Sequence, residues 1–182
     1  MSDSNPESSE LIRAREIDAV IDRAKIHENA VRYVQSVDRL DYELMMSTYW
    51  PDSTDDHGNF QGTGPEWCEF VCGMRSNLVR THHIVGNFLA DIDGPRAKVE
   101  LYFRGIAIFK SEVEGTPDGE LHTAGRYKDL YERRGSEWKI LRRTVTWDWS
   151  RPVTADPDWS WLREGEGQFG DWAPDDPIYQ EW

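Results

Sequence analysis

From Leu11 to Val37 the apolar residues Ile17, Val20, Ile21, Ala24, Ala30, Val31 and Val34 return every three or four positions between charged ones. That period draws one apolar stripe along a long amphipathic helix, with a break expected near His27–Asn29. Asp41–Tyr49 reads as a short second helix ended by Pro51. Residues 52–64 are polar, with glycine at 58, 62 and 64, and fit a loop or a short strand pair. Pro65 suits the first turn of a third helix over Glu66–Leu78, whose Trp67, Phe70, Val71 and Met74 share a side. The period then drops to two. Thr81–Ile92 and Ala97–Phe109 are β-branched and aromatic runs joined by Asp93-Gly94. His122–Arg133 and Trp138–Trp149 are joined across Arg134-Gly135-Ser136. Three helices followed by an antiparallel meander predict an α+β fold in which a curved sheet wraps the helices. The expected domain is 11–150, between a disordered lead (1–10) and an irregular tail (151–182).

Composition narrows the picture. A chain of 182 residues with 38% hydrophobic positions can bury one core. Lys+Arg number 21 against 34 Asp+Glu, a formal charge of −13, so phosphate backbones and anionic membrane surfaces are repelled. Neither nucleic acid nor membrane is an expected partner. No apolar run approaches bilayer length, and the opening MSDSNPESSE lacks the basic and apolar regions of a signal peptide, so a cytoplasmic location is expected. Cys68 and Cys72 stand four apart on the third helix and read as small apolar residues on one face, not as a disulfide. Of the nine tryptophans, Trp159, Trp161, Trp172 and Trp182 lie in the tail, which holds eight acidic residues and two basic ones. A tail so aromatic is expected to fold back on the domain or on a neighbouring subunit.

Candidate chemistry gathers in three places. No nucleophile elbow, phosphate loop, dinucleotide fingerprint or HExxH motif occurs, so a cofactor-free pocket is expected. Tyr33 and Asp38 close the first helix, and Asp38 either caps the second helix or borders a cavity. In Thr81–Asn87, alternation sends His82, Ile84, Gly86 and Phe88 to one face and His83, Val85, Asn87 and Leu89 to the other. Which histidine faces a pocket stays open. A His–Asp pair would make a base, because a carboxylate fixes the imidazole tautomer and raises its basicity. In Asp55-Asp56-His57-Gly58, adjacent strand residues point apart and the ligand set is incomplete. These residues therefore read as loop polar groups, with His57 the one to turn inward, and no metal is expected. Arg104, Arg126 and Arg143 are candidate donors. Tyr49, Trp50, Asn87, Tyr102 and Trp147 complete a candidate substrate-binding set with Arg104 and Arg126.

These motifs come in a familiar order. Val37-Asp38 and Asp41 end the first helix, Trp50-Pro51-Asp52 leads to Asp55-Asp56-His57-Gly58, and Gly62-Thr63-Gly64-Pro65-Glu66 opens the third helix. Thr81-His82-His83 with Gly86-Asn87 follows, then Gly125-Arg126-Tyr127 with Asp129, Tyr131 and Glu132-Arg133-Arg134-Gly135, then Trp138-Lys139-Ile140. Over residues 14–149 the chain resembles the SnoaL-like branch of the NTF2-like superfamily. That branch holds scytalone dehydratase, bile-acid 7α-dehydratases, hexachlorocyclohexane dehydrochlorinase and cofactorless diarylpropane lyases. The resemblance implies a cone-shaped α+β barrel with one deep pocket and a base dyad at Asp38 and His83. It also implies a pocket tyrosine at Tyr33, and His57 where the bile-acid enzymes carry a second tyrosine. It further implies a homodimer or homotrimer and a cofactor-independent lyase acting on a hydrophobic aromatic molecule. The superfamily also holds ligand-binding modules and dioxygenase small subunits, so a non-catalytic role is the alternative.

Overall fold

The computed structural model describes residues 9–112, 118–154 and 168–180. The expected lead falls almost wholly outside them, as do residues 155–167 of the tail. Helix α1 runs unbroken over Ser9–Arg39, through the predicted break, where Glu28 and Arg32 pair across one turn at 2.6 Å. Its first half stands clear of the sheet: Ile17, Val20 and Ile21 are exposed, and burial begins at Asp22 and Ile26. The apolar period thus predicts the helix but overstates how much of it is packed.

Leu40 turns left-handed (φ 48°) and ends α1, while the Asp41 N–H closes back on the Ser36 carbonyl. Asp41 is the cap of α2 (Tyr42–Ser47), its carboxylate accepting the Leu44 N–H at 3.0 Å, which leaves Asp38 uncommitted to that role. Strand β1 (Tyr49–Asp56) starts earlier than Pro51 suggests, and β2 (Gln61–Thr63) pairs with it. Helix α3 (Gly64–Gly73) opens on a Thr63–Glu66 capping box and is followed by a 3-10 turn at Met74–Ser76. Both cysteines are free, Cys68 buried and Cys72 partly so. The long strands are β3 (Leu78–Asp93), β4 (Arg96–Phe109), β5 (Gly119–Arg134) and β6 (Glu137–Thr154). Gly94 and Gly135 supply the positive φ of the two tight hairpin turns.

The six strands make one mixed sheet in the order β2-β1-β6-β5-β4-β3, with β1 parallel to β6 and every other pair antiparallel. The sheet is open, with β2 and β3 as edges. It curves over the second half of α1 and over α3, and the core fills the concave side with Ile26, Ala30, Tyr33, Trp67, Leu101, Phe103, Tyr127 and Tyr131. A buried Asp22 accepts the Trp138 Nε1–H at 2.7 Å and ties α1 to β6. In the tail, Trp172 is buried, the Ala173 N–H bonds the Arg39 carbonyl at 2.7 Å, and the Tyr179 hydroxyl bonds Asp41 at 2.5 Å. This segment therefore lies against the corner between α1 and α2.

Candidate active site

β3 is an edge strand, so alternate backbone N–H groups along it have no ladder partner. Asp38, in the last turn of α1, meets that edge. Its Oδ2 accepts the His83 backbone N–H at 2.8 Å, and its Oδ1 lies 2.6 Å from His83 Nδ1 and accepts the Thr81 hydroxyl at 3.2 Å. The carboxylate thereby holds both the backbone and the ring of one histidine. With Nδ1 donating to Asp38, Nε2 carries the lone pair. The ring lies over Gly105, its register partner on β4: a methyl group there would come within 2.9 Å of His83 Cδ2 and Nε2. Only a residue without a side chain leaves the imidazole this place. His82 points the other way, into an outer cleft of about 830 Å³ shared by Arg39, Arg80, Phe169 and Asp171. His83 borders that cleft and also an inner cavity of about 230 Å³.

Aromatic rings line the inner cavity. Trp67, Phe70, Phe103, Tyr127 and Trp147 wall it, with Tyr33, His57 and Thr123 between them. Tyr33 accepts the Trp67 Nε1–H at 2.9 Å, and burial pushes its phenol above the ordinary range, so it stays protonated. Behind the lining lies a buried polar row that alternation on three strands builds. Asp55, Arg143 and Asp129 are register partners across β1, β6 and β5. Arg143 grips Asp129 with two bonds of 2.9 and 2.6 Å, and its guanidinium sits 4.0 Å from the ring centres of both Tyr33 and Tyr127. Burial opposes the charge on Arg143, but Asp129 and the facing phenols hold its pKa above the ordinary value, so it remains a cation. Asp55 accepts the Tyr49 hydroxyl at 2.5 Å and pairs with His57 Nδ1. His57 stacks on Trp67 at 3.6 Å, and burial lowers its pKa in spite of the opposing pull of Asp55.

The predicted site residues thus divide. His83, Tyr33, His57 and Trp147 line the cavity, Asp38 borders the outer cleft and reaches the cavity only through His83, and Tyr49 lies behind the lining against Asp55. The others lie elsewhere. Tyr102 and Arg104 alternate with the buried Leu101, Phe103 and Gly105 and so face outward, and Arg126 pairs on that outer face with Asp148 at 2.8 Å. Trp50 donates to the Glu132 carbonyl beneath Arg134 and Lys139. Asn87 is exposed in a left-handed bulge (φ 48°), which shifts the alternation of β3 by one and turns Phe88 inward and Leu89 out. Sequence reasoning missed Asp55, Asp129 and Arg143 as a unit. The readable signal was Asp55-x-His57, two residues on one strand face; the remainder needs cross-strand register.

A SnoaL-like domain profile matches residues 18–144. The chain belongs to that family. Relatives described as uncharacterised proteins occur in Mycobacterium tuberculosis and Mycobacterium bovis, each 23% identical over 130 residues that cover 70% of this chain and 86% of theirs. Among solved structures, hexachlorocyclohexane dehydrochlorinase of Novosphingobium barchaimii superposes with a TM-score of 0.67 at 19% identity, covering 77% of this chain and 95% of that one. A Novosphingobium aromaticivorans protein described as a scytalone dehydratase gives 0.64 at 21%, covering 75% and 91%. At these identities the SnoaL-like likeness is one of fold, and it matches the α+β cone predicted from the motif order. Among the described residues no helix is long and apolar enough to cross a membrane.

Proposed function

We propose that the protein is a cofactor-independent lyase that eliminates a leaving group from a small hydrophobic aromatic molecule by acid–base chemistry. The observation that carries the reading is the double grip of Asp38 on His83, which leaves a lone pair on Nε2 at the wall of an aromatic cavity. In this scheme neutral His83 takes a proton from the substrate through Nε2, and Asp38 stabilises the imidazolium that forms. The Tyr33 hydroxyl already accepts from Trp67, so its own proton is available to hydrogen-bond the departing oxygen. Base, donor and walls are all supplied by side chains of this chain. The dehydrochlorinase and the dehydratase-like protein of the same fold support an elimination, since their names describe one.

Two outcomes fit the dyad. One is loss of water. The other is retro-aldol-like loss of formaldehyde from a lignin-type diarylpropane diol, in which His83 takes the proton of the primary alcohol. The carbon–carbon bond then breaks to form the aldehyde while hydroxide departs. The test is incubation with hydroxylated mono- and diaryl substrates, with formaldehyde and alkene products followed by NMR. Turnover in the wild-type chain that is lost in Asp38→Asn and His83→Ala, with ligand binding retained, is the expected result. Wild-type turnover in both variants would sink the dyad, and binding without any turnover would point to a ligand-binding module.

A further inference from the structure

Helix α1 carries two faces fit for packing and buries one. Its second half sets Ile26, Ala30 and Tyr33 against the sheet, with Asp22 and Asn29 buried on the same side. At about 100° per residue, Ile17, Val20, Ile21 and Ala24 share a face roughly opposite that side. All four are exposed, Ile17 at 50%, Val20 at 65% and Ile21 at 45% of their surface. Single apolar side chains in solvent are ordinary, but a continuous stripe of them marks a contact.

The charges beside the stripe decide what fits it. Asp18 and Lys25 stand on one flank, about two turns apart, and Glu16 and Arg23 stand on the other at the same spacing. Among the described residues none of the four has an ion-pair partner. Arg23 and Lys25 reach only backbone carbonyls, of Ala90 at 3.5 Å and Ser136 at 3.2 Å. Each flank thus holds one acid and one base, and the stripe and both flanks are centred within about one residue of the step from Val20 to Ile21.

A two-fold axis through that step lays a second α1 on the first in the antiparallel sense. Asp18 of one copy then meets Lys25 of the other, Glu16 meets Arg23, and Ile17 meets Ala24, with Val20 and Ile21 at the axis. Parallel pairing would set Asp18 against Glu16 and Lys25 against Arg23, like against like. The face is complementary to itself in one direction only. The formal charge of −13 repels a second copy, but the four flank charges cancel, so this face adds nothing to that repulsion.

We propose that the exposed stripe of α1 is the surface on which two copies of this chain pair, as antiparallel helices that cross at Val20–Ile21. A contact of about four helical turns is at the small end of stable interfaces, so dissociation in the micromolar range is expected.

Sedimentation velocity of the full chain from about 1 to 200 µM reads the pairing. Ile21→Glu should abolish it over that range, and because Ile21 is exposed the melting temperature should stay near wild type. Asp18→Lys and Lys25→Asp each bring like charges together twice and should weaken pairing about tenfold, whereas the double variant Asp18→Lys/Lys25→Asp should regain wild-type affinity. Mild oxidation reads the direction, with the unsubstituted chain as the blank. Ile21→Cys should cross-link two copies, and Ala24→Cys should not, since antiparallel packing holds the two 24 positions about two turns apart. Four results would each overturn the proposal: a monomer throughout, as when the chain covers its own stripe; an oligomer unchanged by Ile21→Glu, as when the outer face of the sheet holds it; no recovery in the double variant; or cross-linking through Ala24→Cys.

Discussion

Two His–Asp pairs face one cavity, and they are built in opposite ways. His83 and Asp38 are 45 residues apart, joined where a helix end meets a sheet edge, and each side chain keeps 18% of its surface accessible. His57 and Asp55 are two residues apart on one strand, with side chains 6% and 0% accessible. In the first pair His83 borders both the inner cavity and the outer cleft while Asp38 borders the cleft, so the pair is open on two sides. The second is walled by Trp67 and backed by Tyr49, Arg143 and Asp129, so it is held neutral and in place. The difference teaches that the same pairing of groups is left open or held fast according to its access to solvent and the rigidity of its support.

The sharpest way to break this contrast is to disable each pair in turn. His83→Ala should lower kcat by about 10²–10⁴-fold while the melting temperature stays near wild type. The opposite pattern is expected for Arg143→Met, which strands the buried Asp129 and should remove about 3–5 kcal/mol of stability by urea unfolding. If the His83 variant were the less stable of the two, the division would fail. Gly105→Ala tests the first pair more gently. The added methyl displaces the His83 ring, and turnover should fall about tenfold to a hundredfold with a stability loss of about 1–3 kcal/mol.

The second pair has a signature in pH. The folded state holds His57 below its ordinary value, so the unfolded chain binds the proton more readily. Stability is therefore complete above the ordinary histidine range and declines as pH falls below about 6.5, by at most about 1.4 kcal/mol per unit until the folded value is reached. Thermal melts between pH 7.5 and 5 should show that decline in the wild type and less of it in His57→Phe. The smallest effect is expected far from both pairs. Tyr179→Phe deletes the hydroxyl bond to Asp41 and should lower stability by about 1 kcal/mol or less in the same melts, with turnover unchanged.

Much of this molecule is legible along the chain. The spacing of Ile17, Val20, Ile21, Ala24, Ala30, Val31 and Val34 predicts α1, and Asp93-Gly94 and Arg134-Gly135 predict the two hairpins, because a turn or a helix stripe is set within a few residues. Local signals mislead where a neighbouring element decides. Ile17 and Val20 have the core period but no sheet beneath them. The bulge at Asn87 shifts the face of every later residue of β3, and nothing in the composition of that strand announces it. Tyr102, Arg104 and Arg126 have suitable chemistry for a pocket but the wrong parity.

The sequence by itself determined the elements, their order, the α+β class and the candidates Asp38, His83, Tyr33 and His57, since propensity, period and motif order are properties of neighbouring residues. Only the tertiary structure decided that Asp41 and not Asp38 caps α2, that His83 and not His82 reaches the inner cavity, and that Asp55, Arg143 and Asp129 form one row. Those outcomes depend on strand register and on which side of the sheet is concave. Both are settled by the joint burial of residues far apart in the chain, so no short stretch of it carries them.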